Sequence, residues 1–469
     1  MRSALALVGM AQLAGCQLIF ELEDTQNIEG SFVYRRASLG ADNTISVSRI
    51  PATDAAIQFI FEDEAIDVAI REDGTFSVPK RGASYRFLSG FNLNTGEIIE
   101  TSSTLTIALD QAGRADIEPI TQSTLIDLPL PPGNATRSFV TIGQWTHAPA
   151  NTGFVDWRLV PAFGLMPIGL LDATANDQVF IVDSAVGAYA ADQLAIVAVG
   201  SDDSVVMQDG VTVDLGMVSV GAVGQTDCAT FEMALASDID RLQEAMPDAV
   251  LEPTTLALTA VPALETGTAG GFQIARTEGM ALDADLDMPA HHPFPNHPTV
   301  AQIQVLARSP LKAPGTNVIG SVLSGYTMVV EVPRGTCPTN RVPVDSQGIA
   351  FGSAIAIDGQ LLDTPAQIQI SRPGEAVVTW EANGAADFYD VVLFEVLERN
   401  DKLELEQKRL YRTREQRIEI EDTLLTPQRH FVLQVTAVTG FPGAANGDYA
   451  TFGYPNVKAS VVSQLFTAI

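Results

Sequence analysis

Three of the five histidines in this chain, His291, His292 and His297, fall within seven residues of the segment from Pro289 to Pro298. Asp283, Asp285 and Asp287 come just before them. Their period-two spacing puts three carboxylates on one side of an extended strand. Imidazoles with carboxylates are a donor set for Zn²⁺, and the aspartates alone would suit Ca²⁺. The spacing is not that of an EF-hand: the sixth and twelfth positions are Met288 and Phe294, where Gly and Glu are needed. The competing reading is a proline-stiffened, exposed loop beside a solvated acidic face. That reading is adopted, so no metal and no cofactor is assigned.

Two further groups could do chemistry. Trp145, His147, Asp156 and Trp157 lie close together in sequence, and aromatic rings on a sandwich face can stack on sugars; Trp in a sandwich otherwise belongs to the core. Lys408, Arg409, Arg412, Arg414 and Arg417 form the one basic cluster. It could dock an acidic partner, or pair across strands with Glu404, Glu406, Glu415 and Glu419. The motifs HExxH, GxSxG and GxGxxG and a phosphate-loop Gly-Lys are missing. The expectation is a non-enzyme. A secreted metal-dependent hydrolase built on the histidine loop, or a carbohydrate-binding protein, is the alternative.

The elements that must position these groups read as strands nearly throughout. The chain has 469 residues, 46% of them hydrophobic, which excludes wholesale disorder. With 27 basic and 57 acidic side chains the net charge is −30, and only five of the bases are Lys. Such a field repels polyanions, so no nucleic-acid partner is expected. The fold class expected is mainly β, tandem β-sandwich domains with one short helix. The domains run 16–118, 119–225 (β-rich), 226–340 (β-rich with the helix) and 341–469. In the first, alternating runs at Ser31–Arg35, Thr44–Ile50, Ala56–Phe61, Ile66–Arg71, Thr75–Val78, Tyr85–Leu88 and Thr104–Leu109 are strands. In the second, Phe139–Trp145, Phe154–Pro161, Gln178–Val182 and Leu194–Val199 are strands. The helix is Ala234–Met246, with Leu235, Ile239, Leu242 and Met246 on one face and Pro247 ending it; Ser237 and Asp238 could instead cap a shorter helix.

The amino terminus carries the strongest signal. Arg2 is followed by an uncharged apolar stretch, Ala4 to Ala11, then Leu13, Ala14, Gly15 and Cys16. Charge, apolar core and small residues are the three parts of a secretory signal, too short to span a bilayer. Leu13-Ala14-Gly15-Cys16 resembles the lipobox of bacterial lipoproteins. The resemblance implies a signal peptide over 1–15, a diacylglyceryl group on Cys16 and a membrane anchor worth about 0.8 kcal/mol per buried CH₂. Gln17 stands where Asp would favour the inner membrane, so the outer membrane of the envelope is expected, with a protein or polysaccharide as partner.

Lipidation of Cys16 leaves Cys228 and Cys337. Export would put them in an oxidising compartment, where a Cys228–Cys337 disulfide is expected; two separate buried thiols are the competing reading.

Two sandwiches have a family look. Asp73, Gly74, Phe76, Gly82 and Tyr85 resemble the signature of carboxypeptidase regulatory-like, transthyretin-like domains, which implies Gly at a hairpin turn with Phe and Tyr in the core. Trp380, Tyr389, Leu425, Pro427, Phe431, Val435 and Ala437 resemble a fibronectin type III domain, with Phe431 replacing the corner Tyr. The order of parts resembles lipoprotein groups of Gram-negative bacteria, which implies location and fold only.

Overall fold

In the computed structural model the described residues are 27–40, 44–61, 64–89, 96–111, 113–118, 120–122, 124–129, 136–143, 145–149, 154–159, 169–266, 271–294, 296–312, 319–346, 352–368, 375–382, 384, 386–399 and 402–469. The expected signal peptide, 1–15, and Cys16 lie outside them. The protein is mainly β. Alternation of large apolar and polar residues builds the first segment. Strand Asn27–Leu39 pairs antiparallel with Ile45–Pro51 and Thr75–Pro79, and parallel with Thr104–Asp110. Ile57–Phe61, Glu64–Val68, Tyr85–Ser89 and Gly96–Glu100 form the facing layer. Between them Phe32, Phe59, Phe76, Tyr85 and Phe87 are buried. Gly74 makes the turn before Thr75–Pro79 at φ +83°, a conformation that favours Gly. The Asp73 carboxylate accepts from both the amide and the hydroxyl of Thr75, so the turn is fixed locally.

The second segment has one sheet of Thr124–Pro129, Phe154–Leu159 and Thr212–Asp214, and another with Thr136–Ile142, Thr146–Pro149, Gln178–Val186 and Leu194–Asp202. The expected strand over 139–145 stops at Ile142, because Gly143 (φ +107°) and Trp145 (φ +53°) leave the extended region.

In the third segment the helix is Ala236–Ala245. It begins two residues later than expected: Leu235, at φ −109° and ψ 1°, is not yet helical, and the Ala234 amide donates to the Val344 carbonyl at 2.9 Å. Ser237 and Asp238 do not cap it; the N-cap is Leu235, with no side-chain bond. Leu235, Leu242 and Met246 are buried as the spacing predicts. A long hairpin, Thr299–Lys312 with Ile319–Val332, forms the frame. Asp227–Met233 lies between Asp285–Ala290 and Arg341–Val344. Cys228 and Cys337 are joined, with Cα atoms 5.2 Å apart. The bond closes 109 residues. We expect Cys228→Ala with Cys337→Ala to lower the unfolding free energy by about 2–4 kcal/mol. Urea denaturation with and without reductant reads this loss, and an unchanged midpoint would show that strand pairing alone holds the joint.

The fourth segment sets Gly352–Ile357, Glu375–Ala382 and Arg417–Glu421 against Phe388–Arg399, Lys402–Thr413, His430–Thr439 and Asn456–Val462. Trp380 packs edge-on against Tyr389, and Phe431 lies fully buried beside Phe466.

Strand pairing crosses the joints. Leu194–Ala195 pairs with Ala275–Arg276, Gly325–Val329 with Asn456–Ser460, and Gly96–Ile98 runs parallel to Leu410–Arg412. Among the described residues no helix is long and apolar enough to cross a membrane.

Candidate functional site

The histidine loop follows strand Asp285–Ala290 and is packed inward, not exposed. His292 and His297 are 4% and 5% exposed, and Phe294 is 1% exposed. The Phe294 ring inserts edge-on between Trp145, Phe180 and Phe272, at centroid distances of 5.8, 4.9 and 6.1 Å. Trp145 also packs edge-on against His297, at 4.5 Å. The loop is therefore a plug: Phe294 of the third segment seals the apolar cluster to which the second segment contributes Trp145 and Phe180 and the third Phe272.

The hydrogen bonds fix the tautomers. The Phe294 amide donates to Nδ1 of His292 at 3.1 Å, so the His292 proton sits on Nε2. Nδ1 of His297 faces the Pro262 carbonyl at 3.3 Å and must donate, which leaves its Nε2 as a lone pair. Both Nε2 atoms are buried without a partner among the described residues. His291 instead bonds the Gly224 carbonyl through Nδ1 at 2.8 Å. His292 thus has no free lone pair to offer a metal while the Phe294 bond stands.

The carboxylates do not join them. Asp283 precedes the strand, Asp285 pairs with Arg341 at 2.6 Å, and Asp287 accepts from the Thr230 hydroxyl at 2.6 Å. Asp285 and Asp287 do share one exposed face, as their spacing predicts. Among the described residues no three metal-binding side chains converge.

Burial sets the charge state of the loop. Desolvation, with the Arg334 and His297 charges adding to it, pushes His292 down to about 3. Desolvation, with Arg334, pushes His297 down to about 4. Both are neutral in the folded protein at neutral pH.

The basic cluster is turned onto the protein's own acids. Lys408 reaches Glu395 at 2.6 Å and Glu406 at 3.1 Å. Arg412 pairs with Asp390 at 2.8 Å and lies over the Phe388 ring at 4.4 Å. Arg417 pairs with Glu419. Arg414 reaches Glu100 of the first segment at 2.6 Å. The Glu100 side chain is 0% exposed. It accepts from the amides of Thr101 and Ser102 and from the Tyr449 hydroxyl as well. Burial, then the Glu100 charge, pushes the Tyr449 phenol up, so it stays a donor. Beside this clasp Thr106 exchanges backbone bonds with Gly447 and Tyr449, each at 2.9 Å. Gly447 is at φ +74°, and a Cβ there would sit 2.0 Å from the Thr104 carbonyl oxygen. Phe388, Val438, Ala444 and Tyr449 complete the core of the first sandwich.

Of the sugar-platform residues only Trp145 has a described side chain. Trp145 is buried in the plug. The side chains of His147, Asp156 and Trp157 lie outside the described set, and their strands belong to different sheets. Sequence reasoning missed Glu100, Tyr449 and Phe294, the three side chains around which the joints are built.

No protein-family model matches the chain, and no curated protein matches it. Among solved structures, the FN1-FN3 domains of chicken CNTN1 are similar at 11% identity, covering 76% of this chain and 98% of that one, with a TM-score of 0.13. The N-terminal four Ig domains of Dscam1 isoform 8.4 are similar at 10% identity, covering 94% and 98%, with a TM-score of 0.12. Overlap at that score supports no argument about function. The strands and cores described above define the class of protein: a mainly β chain of sandwich-like units.

Proposed function

We propose that the protein is a lipid-anchored component of a bacterial envelope, held in the outer membrane through Cys16, with a non-catalytic β-sandwich body that binds or braces a protein or polysaccharide. The observation that carries this reading is the tetrapeptide Leu13-Ala14-Gly15-Cys16 behind a short apolar segment. Support comes from the Cys228–Cys337 bond, which suits an oxidising compartment. Further support comes from the use made of the reactive groups: the imidazoles plug a core and the basic cluster clasps two segments. On this reading the first sandwich is of the carboxypeptidase regulatory-like kind and the last of the fibronectin type III kind, both of them scaffolds. Metabolic labelling with an alkynyl fatty acid tests the anchor. We expect label on the wild type and none on Cys16→Ala; equal label on both would overturn the proposal.

A further inference from the structure

Four arginines are buried among the described residues: Arg35, Arg36, Arg114 and Arg137. Three of them hold a carboxylate. Arg35 pairs with Asp110 at 2.7 Å, Arg114 with Asp177 at 3.1 Å, and Arg137 with Asp183. Arg36 pairs with none of the described acids, in a chain with 57 acidic side chains against 27 basic ones. Its Nε and Nη2 both donate to the same oxygen, Oε1 of Gln111, at 2.9 and 2.7 Å. Its Nη1 reaches only the Arg114 carbonyl, at 3.4 Å. A guanidinium has five N–H donors. One N–H on each terminal nitrogen is thus left without an acceptor among the described residues. Arg36 as a whole is 8% exposed.

A buried charge with no counter-ion is costly, and folded proteins pair or neutralise it. Arginine does not solve the problem by losing its proton. The chemistry that fits two parallel N–H groups on a guanidinium is a two-oxygen edge. We propose that Arg36, oriented by Gln111, is the anchor of a small-oxyanion site at the joint between the first two segments, taking a carboxylate or a phosphate. The site is independent of the lipid anchor. It joins the segments because Gln111 and Arg114 follow strand Thr104–Asp110, and Arg114 is in turn fixed by Asp177 of the second segment.

The test is thermal unfolding of the full chain at constant ionic strength, with chloride replaced stepwise by phosphate in one series and by acetate in another. The wild type should gain about 2 °C, saturably, at ten times the dissociation constant. A gain in only one series assigns the anion. Arg36→Met keeps the stem and removes the charge, and should show no gain. Gln111→Glu supplies the missing carboxylate; it should unfold at or above the wild-type temperature and ignore both anions. No gain in the wild type, or an equal gain in wild type and Arg36→Met, would mean a general salt effect or an adventitious ion only, and overturns the site. Should Arg36→Met not fold, Gln111→Glu decides: a variant that still responds like the wild type overturns the site.

Discussion

Between pH 7 and pH 4.5 the folded protein should lose on the order of 4–5 kcal/mol through His292 and His297 alone. In an unfolded chain both imidazoles take a proton near pH 6.5, whereas the folded protein holds them neutral down to about 3 and about 4. The unfolded state therefore binds more protons throughout that window. Stability is complete above pH 6.5 and falls as pH drops towards the folded values. The structural cause is specific. A proton on Nδ1 of His292 must break the bond from the Phe294 amide, and a charge on His297 would lie in an apolar pocket facing Trp145 with Arg334 near. Urea midpoints measured across this range, for the wild type and for His292→Gln with His297→Gln, separate this effect from the titration of carboxylates. The variant should show a much flatter slope. A slope equal to that of the wild type would mean that the two imidazoles are not held neutral.

Glu100→Ala should cost about 3–5 kcal/mol, the figure for removing one member of a buried ion pair. The loss leaves the Arg414 guanidinium without its acid, the Tyr449 hydroxyl without its acceptor and the amides of Thr101 and Ser102 without theirs. Tyr85, whose hydroxyl is buried with no partner among the described residues, adds to the polar groups then left dry. Because the clasp spans the first and last segments, the destabilisation should appear in both. Limited proteolysis should cut faster near residues 101–104 and 444–449 together. Cutting at only one of these places would mean that the two segments hold their structure separately.

The strands were legible because side chains alternate over short runs; Phe76 and Tyr85 are buried as the resemblance of their turn implied, and Phe32, Phe59 and Phe87 of neighbouring strands are buried with them. The disulfide followed from the cysteine count and the expected compartment. The joints were not legible. Glu100 meets Arg414 and Tyr449 across 314 and 349 residues, and one glutamate among many acids gives no local signal. Strand Gly96–Glu100 was missed for the same reason, since part of its pairing comes from Leu410–Arg412. The plug was misjudged because proline and histidine have no helix or strand period, so Pro-Phe-Pro reads as surface. Only the isolated aromatic, Phe294 between two prolines, hinted that something there had to be buried.

The central claim is that this chain is exported and anchored through Cys16. It is tested most directly by fractionating cells that express the wild type or Cys16→Ala, trapping free thiols with an alkylating maleimide at the moment of lysis. The account predicts wild-type protein in the membrane fraction, resistant to high salt, and Cys16→Ala released from it, with Cys228 and Cys337 unlabelled until reduced in both. Wild type and variant in the same fraction, or Cys228 and Cys337 labelled without reduction, would contradict it.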